Sequence, residues 1–279
     1  MDYRLMMGKA IAFIEEHVRD DIQPSDVSAQ AFYSLPHLYR VFRSTLGCSI
    51  QEYIRRRRLS LAAEALLSTR TKVLDIALEF GFGSPESFLR AFKAQYGSAP
   101  LAFRHEARMA PLFPAARIEA ALAQAVCAPE PRIVFHKSIE LDTRLLRTSL
   151  AEAQNRAEIP SFWETLAAEG FLDRQEDTYG LYCEWEGEDN FTLAVGFACC
   201  AKKPHQSSVY PTERRAIPAA RYAVFSLEPF DASKVVDLWD SIYGSWIFGT
   251  KAERSGRLED FEVYSNSFSS YSVLIPLAE

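Results

Sequence analysis

Two stretches of this chain, SLPHLYRVFRSTLG at residues 34–47 and SPESFLRAFKAQYG at residues 84–97, carry one pattern at an offset of 50 residues. Apolar, basic and glycine positions coincide in the pairs Leu38 and Phe88, Arg40 and Arg90, Phe42 and Phe92, Arg43 and Lys93, and Gly47 and Gly97. Apolar residues three or four positions apart predict one buried face of a helix, and the following glycine predicts the left-handed residue that ends it. The repeat therefore predicts two similar helices, each of which follows a turn.

A shorter apolar pattern and a tight turn precede each of these helices, which is the order of a helix-turn-helix unit. Such a unit places its second helix in the major groove of DNA, so that helix needs polar or basic residues opposite its apolar face. The alternative, a merely solvated helix face, is weakened because the same positions recur in both copies. The sequence predicts that double-stranded DNA is bound by Pro36, His37, Tyr39, Arg40, Arg43, Glu86, Ser87, Arg90 and Lys93.

The charged residues of the two copies have different expected roles. Arg40 and Arg90 can each donate two hydrogen bonds to a guanine edge. Arg43 and Lys93, one helical turn further on, are better placed for phosphates. Glu86 can accept a hydrogen bond from cytosine.

The two copies also differ in sequence. His37 and Tyr39 of the first copy stand where the second copy has Ser87 and Leu89. This difference predicts that the two copies read two different half-sites.

Four consecutive arginines at residues 55–58 suggest phosphate binding, but helical geometry scatters them around most of a turn. Arg57 and Arg58 fall near the predicted apolar face of their helix, which favours intramolecular pairing over DNA contact. For Arg55 and Arg56 both roles stay open.

Composition is typical of a soluble globular protein of about two domains, with 279 residues, 48% apolar and 24% charged. No uncharged apolar run approaches the roughly 18 residues that span a bilayer, and the first residues lack a signal-peptide pattern. We therefore expect a cytoplasmic protein that has no membrane partner.

The net charge of -6 is unevenly distributed. Residues 1–109 contain 15 Lys and Arg against 12 Asp and Glu, a net charge of +3, and the remaining residues contain 16 against 25, a net charge of -9. A modestly basic part next to an acidic part is typical of a nucleic-acid module joined to one that does not touch nucleic acid.

The five cysteines, Cys48, Cys127, Cys183, Cys199 and Cys200, include no C-x-x-C motif and lie far from the histidines in sequence. Reduced thiols in core positions are therefore the expected state. We expect neither a bound metal nor a cofactor.

Composition changes after residue 109. Residues 110–130 are rich in alanine and proline, which predicts a linker between a DNA-binding domain at residues 1–109 and a second domain at residues 131–279. In the second domain the order of strand, helix and two strands occurs twice. We predict an all-α first domain with two helix-turn-helix units, and an α+β second domain whose antiparallel sheet is built from two duplicated halves.

Residues 9–108 resemble the DNA-binding domain of the AraC/XylS family of bacterial transcription regulators. The resemblance rests on the two helix-turn-helix units, on SIQEYIRRRRLSLAAEALL at residues 49–67 and on VLDIALEFGFGSPESFLRAFKAQYGSAPLAFR at residues 73–104. It implies that both recognition helices enter successive major-groove segments on one face of the DNA. Phe32 departs from the usual turn glycine, and Ala99 from the usual Ser or Thr cap.

About residues 131–278 are similar to the GyrI-like effector-binding domain that some AraC relatives and multidrug-sensing regulators carry. The similarity rests on IPAARYAVFSLEPF, VVDLWDSIYGSWI, DFEVYSN and YSVLIPL. It implies an aromatic cavity with an acidic residue inside it, and Glu262 matches that position. Ala220 and Phe230 depart from the glycine and the Gly-Pro-Tyr turn that the family often has.

A carboxylate among aromatic faces attracts an organic cation through Coulomb and cation–π interactions. Strand alternation places Glu262 on the face opposite Phe261 and Val263, and whether that face is cavity or solvent stays open. Each aromatic candidate could instead belong to the core. The candidates for a small-molecule effector site are Trp163, Tyr182, Trp185, Trp239, Tyr243 and Tyr264.

The leading hypothesis is a transcription regulator, not an enzyme, in which a small aromatic or cationic effector modulates DNA binding or contact with RNA polymerase. Two alternatives stay open. A GyrI-like hydrolase would use Glu262 with Tyr182 or Tyr264 as base and acid. A ligand-sequestering protein would bind the effector with no effect on DNA affinity.

Overall fold

The computed structural model describes residues 2–31, 35–106, 111–149, 154–172, 176–186, 190–199, 208–250, 254–255 and 258–278. The chain divides into two compact units, Asp2–Ala125 and Val126–Glu279. Within the described ranges, no helix has both the length and the apolar character of a membrane span.

The N-terminal unit is helical, and its element order confirms the two predicted helix-turn-helix units, α2 with α3 and α5 with α6, on either side of a long α4. The elements are α1 (Tyr3–Glu16), α2 (Pro24–Ala31), α3 (Leu35–Leu46), α4 (Ile50–Ser68), α5 (Val73–Glu79), α6 (Pro85–Tyr96), α7 (Pro100–Glu106) and α8 (Ile118–Gln124).

Local signals set the ends of these helices. Ser49 caps α4 by accepting a hydrogen bond from the backbone N–H of Glu52 at 3.1 Å, as the S-x-x-E pattern predicts. Gly47 and Gly97 follow α3 and α6 with φ angles of 71° and 74°, the left-handed conformation that the repeat predicts. The repeat thus encodes both the helices and their ends.

The core around α4 holds the second helix-turn-helix unit. Leu59, Ala62, Ala63 and Leu66 line one side of α4 and are fully or almost fully buried. They form one apolar cluster with residues of α5, α6 and α7, among them Ile76, Ala77, Phe88, Phe92, Tyr96 and Phe103. The side chains that hold α6 therefore lie opposite its predicted DNA-reading side.

In the described part of the C-terminal unit, eight strands form one antiparallel sheet in the order β1-β6-β8-β7-β3-β4-β2-β5. This confirms the predicted α+β class with an antiparallel sheet. The strands are β1 (Arg132–His136), β2 (Ile139–Ser149), β3 (Thr178–Glu186), β4 (Asn190–Ala198), β5 (Thr212–Ile217), β6 (Ala220–Leu227), β7 (Phe261–Tyr264) and β8 (Tyr271–Pro276).

The connections require this sheet to curl. β1 lies at one end of the strand order and β2 near the other, yet only Lys137 and Ser138 separate them in sequence. β5 and β6 are likewise near opposite ends and are separated only by Pro218 and Ala219. Because two residues span only a short distance, the two ends of the sheet must approach each other.

The sheet consists of two similar halves. Each half has two strands, a helix and two strands, which is one strand more than the sequence predicts. At the junction of the halves, Leu181 of β3 pairs with Phe261 of β7. On its other side Leu181 pairs with Ala194 of β4, and Phe261 pairs with Leu274 of β8. Both pairs of equivalent residues, 181 with 261 and 194 with 274, differ by 80 in number, so one offset relates the halves.

Helices cover one face of the sheet. Phe162 and Leu166 of α9 (Asn155–Ala168) belong to an apolar cluster with Leu193 and Phe197 of β4. In the second half, α10 (Val235–Ser241) continues through a π-helical turn, Ile242–Trp246, into α11 (Ile247–Gly249). Phe261 belongs to a different cluster on the other face, so alternation along β7 turns Glu262 toward the helix-covered face.

Candidate functional site

The second repeat presents an open reading face on α6. Ser84 caps the helix by accepting a hydrogen bond from the backbone N–H of Ser87 at 3.1 Å, and the Ser87 hydroxyl donates to the Ser84 carbonyl. Glu86, Arg90 and Lys93 are exposed, as the sequence predicts. Ser87 is half-buried and takes part in the cap.

In the first repeat, fewer of the predicted DNA-binding side chains are exposed. Arg40 and Arg43 are half-buried on α3. Pro36 lies in α3, but its side chain is outside the described residues, as are Phe32 and Ser34.

The expected exposure of His37 and Tyr39 is wrong, because these residues are only 8% and 4% exposed. The aromatic ring of Tyr3 in α1 packs edge-on against His37, with ring centroids 5.6 Å apart. Leu89, the counterpart of Tyr39 in the second repeat, is 43% exposed. The buried side of α3 is therefore wider than that of α6, and these two residues do not form part of an exposed reading face.

The four consecutive arginines, residues 55–58, point in different directions around α4, as helical geometry predicts. Arg57 donates to the carboxylate of Glu15 with Nη2–Oε2 at 2.8 Å, and Arg58 donates to backbone carbonyls of the loop after α1. The guanidinium carbon of Arg56 lies 4.0 Å from the ring centroid of Phe113. Arg55 is exposed.

In the C-terminal unit, Glu262 on β7 is only 2% exposed and accepts hydrogen bonds from three tyrosine hydroxyls. Its Oε2 accepts from Tyr271 at 2.7 Å and from Tyr182 at 3.3 Å, and its Oε1 accepts from Tyr264 at 3.2 Å. The Tyr271 hydroxyl in turn accepts from Nε1 of Trp239 at 2.8 Å. Residues of β3, β7, β8 and α10 thus surround one carboxylate.

Gly180 makes room for this carboxylate. It is the direct partner of Glu262 in the pairing of β3 with β7. A Cβ atom on residue 180 would lie 2.6 Å from Oε1 of Glu262, much closer than side-chain carbons approach other atoms. Glycine at position 180 therefore lets the acid approach without a shift of the Glu262 side chain.

Burial sets the charge state of the site. Loss of hydration raises the pKa of Glu262 from 4.5 to about 7, although the hydrogen bonds from Tyr271, Tyr264 and Tyr182 favour the ionised form and act in the opposite direction. The pKa values of Tyr264 and Tyr271 are raised well above 10, first by burial and then by the nearby carboxylate. The site therefore has one group that titrates near neutral pH.

Four of the predicted aromatic residues lie at this carboxylate. Tyr182, Tyr264 and Trp239 take part in its hydrogen-bond network, and the ring of Trp163 packs on Tyr264 at a centroid distance of 4.8 Å. Trp163, Tyr182 and Trp239 are half-buried, so each of these rings near Glu262 is partly accessible to solvent.

The other two predicted aromatic residues lie further from the acid. Trp185 stacks on Phe191 at 4.8 Å. Tyr243 stacks on Trp239 at 6.1 Å, but its hydroxyl donates to the buried carboxylate of Asp260, which pairs with Arg254. Tyr243 thus connects the site to a buried ion pair.

Sequence reasoning missed three residues of the site. Tyr271 is the nearest donor to Glu262, and Phe230 and Phe268 pack against Tyr264 with centroids 5.7 and 5.6 Å apart. In YSVLIPL, Tyr271 has the appearance of an ordinary core residue. The register of β7 with β8, which pairs Tyr264 with Tyr271, is what brings it to the acid.

A cavity of about 210 Å³ elsewhere in the C-terminal unit does not include Glu262. Most of its lining residues are polar and they carry charges of both signs, and Phe191 is the aromatic residue among them. The lining residues are Arg147, Thr148, Ser149, Gln154, Glu184, Glu186, Asn190, Phe191 and Thr192.

Comparison with known proteins assigns both units to families. A family described as a helix-turn-helix domain matches residues 27–106, and one described as integron-associated effector binding protein matches residues 132–276. The regulatory protein SoxS of Escherichia coli strain K12 is 34% identical over 105 residues, which are 38% of this chain and 98% of SoxS. The chain belongs to the AraC family, with a C-terminal integron-associated effector binding domain.

This AraC-family chain is also 40% identical over 104 residues to the HTH-type transcriptional regulator YbfP of Bacillus subtilis strain 168. That match covers 37% of this chain and 35% of YbfP, so the chain spans about a third of the length of that relative. Among solved structures, the integron cassette protein VCH_CASS2 of Vibrio cholerae aligns with 55% of this chain and 98% of its own, at 21% identity and a TM-score of 0.43.

The raised pKa of Glu262 gives this AraC-family chain a predictable pH dependence. The folded state holds this proton more tightly than the unfolded state does, so the contribution of Glu262 to stability is fully present below pH 4.5 and is lost as pH rises through 7. Glu262→Gln cannot ionise, so its free energy of unfolding should rise relative to wild type by about 3 kcal/mol between about pH 4 and about pH 8.

Tryptophan fluorescence during urea unfolding measures this effect in the relevant unit, because all four tryptophans lie in the C-terminal unit. Glu164→Gln on the exposed side of α9 is the matched control and should leave the pH dependence unchanged. An equal pH dependence in Glu262→Gln and wild type would contradict the assignment.

Proposed function

We propose that this AraC-family chain is a sequence-specific transcription regulator that senses a small aromatic or cationic molecule through Glu262. The observation that carries the proposal is the buried carboxylate of Glu262. It is held by three tyrosine hydroxyls beside half-buried tryptophans, in a chain that also has two helix-turn-helix units.

The reading face of α6 supports the DNA-binding part of the proposal. Arg90 lies in the middle of α6 and is exposed, where it can reach base edges in the major groove. Lys93 follows one turn later and can reach a phosphate. Arg40 and Arg43 occupy the same positions on α3, so the chain carries two readers for successive groove segments.

The surroundings of Glu262 support the effector part. A cation that enters beside the half-buried rings of Trp163, Tyr182 and Trp239 meets aromatic faces first and the carboxylate behind them. Aromatic faces attract cations, and the attraction between opposite charges is strong where water is excluded. A neutral aromatic molecule gains only the ring contacts, so the site should prefer the cation.

An effector at Glu262 would change gene expression through the affinity for DNA or through contact with RNA polymerase, which is the protein partner we expect. Both events take place in the cytoplasm. Preference for aromatic cations as a chemical class fits a sensor of many structurally different drugs.

The DNA-binding proposal predicts different effects for two neighbouring basic residues. Arg90→Ala should lower discrimination at one base pair of the operator by about 1–3 kcal/mol. Lys93→Ala should weaken binding to all sequences alike and reduce the slope of log affinity against log salt by about 1. Fluorescence anisotropy of the full chain with an operator selected from randomised DNA, and with its single-base variants, measures both effects.

Arg132→Ala, an exposed arginine of β1 in the other unit, is the matched control and should change neither quantity. If Arg90→Ala weakened binding to every sequence equally, Arg90 would be a phosphate contact. If the wild-type chain showed no sequence-dependent affinity, the proposed function would be wrong.

The effector proposal predicts a dependence on charge that two molecules of the same shape can isolate. Phenyltrimethylammonium should bind wild type and quench tryptophan fluorescence, and Glu262→Gln should weaken this binding at least about tenfold. The neutral isostere tert-butylbenzene should bind both proteins equally. Because a proton competes for the carboxylate, cation affinity should fall about tenfold for each pH unit below 7.

Glu164→Gln is again the control. Equal binding of the cation by wild type and Glu262→Gln would contradict the effector site. Effector binding that leaves DNA affinity and transcription unchanged would favour sequestration, and turnover of a small molecule that Glu262→Gln abolishes would favour a hydrolase.

A further inference from the structure

Residues 111–125, here called the strap, follow α7 and lie between the two family matches, which end at residue 106 and begin again at residue 132. The composition of this segment predicts part of a linker. The strap nevertheless belongs to the N-terminal compact unit. We propose that the strap is a positioning element of the DNA reader, which fixes α3 and α6 relative to α4 and so fixes the spacing of the two half-sites.

Phe113 is the main anchor of the strap on α4. Its ring packs edge-on against Tyr53 with centroids 5.5 Å apart, and the guanidinium of Arg56 lies over the ring. Its backbone N–H donates to the hydroxyl of Ser60 at 2.8 Å, and its carbonyl accepts from Arg57. Both the side chain and the backbone polar groups of one strap residue are therefore held by α4.

Two of these α4 residues also contact the recognition helices. Tyr53 packs edge-on against Phe42 of α3 with centroids 5.6 Å apart. The hydroxyl of Ser60 is hydrogen-bonded to the hydroxyl of Tyr96 of α6 at 2.9 Å. Phe113 is thus linked to each recognition helix through a single intervening residue of α4.

A second anchor ties the strap to α1. The backbone N–H of Ala116 donates to the hydroxyl of Tyr53 at 2.9 Å, and this hydroxyl donates to Glu15 of α1 at 2.8 Å. Glu15 also pairs with Arg57. Further along the strap, α8 packs against both α1 and α3, and its first residue, Ile118, is buried.

The geometry of DNA makes this anchoring relevant to recognition. Two readers that lie on one face of DNA must match groove segments about 34 Å apart. If α4 and the strap hold α3 and α6 rigidly, the chain accepts one half-site spacing and rejects others. If the strap is loosened, each helix still binds its half-site, but the penalty for a changed spacing falls.

The inference rests on the proposed DNA binding. A change in the distance between the two half-sites of the operator tests the inference separately from DNA binding itself. The full chain is titrated with its selected operator and with versions that have one base pair inserted or removed between the half-sites. Phe113→Ala should weaken binding to the native operator about tenfold and reduce the penalty for changed spacing at least about threefold. Affinity for a duplex that carries a single half-site should stay within about twofold of wild type.

A second variant guards against a failure of Phe113→Ala to fold. Ser60→Ala removes the hydrogen bonds to Phe113 and to Tyr96 without a change in the aromatic packing, and it should reduce the spacing penalty in the same direction. Two controls accompany it. Met7→Ala removes volume from the buried side of α1, outside both helix-turn-helix units, and should destabilise the unit with the spacing penalty unchanged. Phe135→Ala removes an exposed ring from β1 and should change nothing.

Three results would overturn the inference. Folded Phe113→Ala and Ser60→Ala proteins that keep both the affinity and the spacing penalty of wild type would show that the strap does not position the readers. A loss of the spacing penalty in Met7→Ala equal to that in Phe113→Ala would assign the effect to stability. A wild-type chain without sequence-dependent binding would overturn the proposed function and this inference together.

Discussion

The buried carboxylate of Glu262 is the constraint on which the C-terminal unit depends. Removing a carboxylate from water is costly unless its oxygens accept hydrogen bonds, and here hydroxyls from three adjacent strands supply them. This arrangement requires the observed register, with Gly180 opposite Glu262 and Tyr264 opposite Tyr271. Trp239 then connects the network to α10. Burial of the Glu262 carboxylate thus depends on the strand order, and the same hydrogen-bond network includes α10.

The two halves of the sheet explain why the site has one acid. β3 and β7 meet at the centre of the sheet, and the offset of 80 residues makes Tyr182 the equivalent of Glu262. Position 182 is diagonal to position 262 in the strand register, and a carboxylate there would place a second negative charge near the buried first one. A tyrosine in the equivalent position donates a hydrogen bond instead. The site therefore depends on the difference between the halves as much as on their similarity.

Local signals in the sequence predict most of the N-terminal unit, because the repeat, the cap and the terminal glycines each act within a few residues. The burial of His37 could not be predicted, because it depends on Tyr3, a residue of another helix. In the C-terminal unit, β2 carries charges typical of a loop, yet Arg144 is buried with its guanidinium over the ring of Phe171. The role of Tyr271 could not be predicted either, because only the strand register distinguishes it from an ordinary core residue. Sequence thus predicts local structure and the acid, whereas long-range pairs decide which partners surround that acid.

Gly180 restricts how a sensor of this construction can evolve. Every single-nucleotide change of a glycine codon that encodes another amino acid adds a Cβ atom, and at this position that atom would meet the acid at 2.6 Å. A substitution here therefore requires the side chain of Glu262 to shift or to be replaced by a shorter one. The aromatic residues of the covering helices can change without a change in this pair, so they offer a route to a new ligand preference that leaves the centre of the sheet intact.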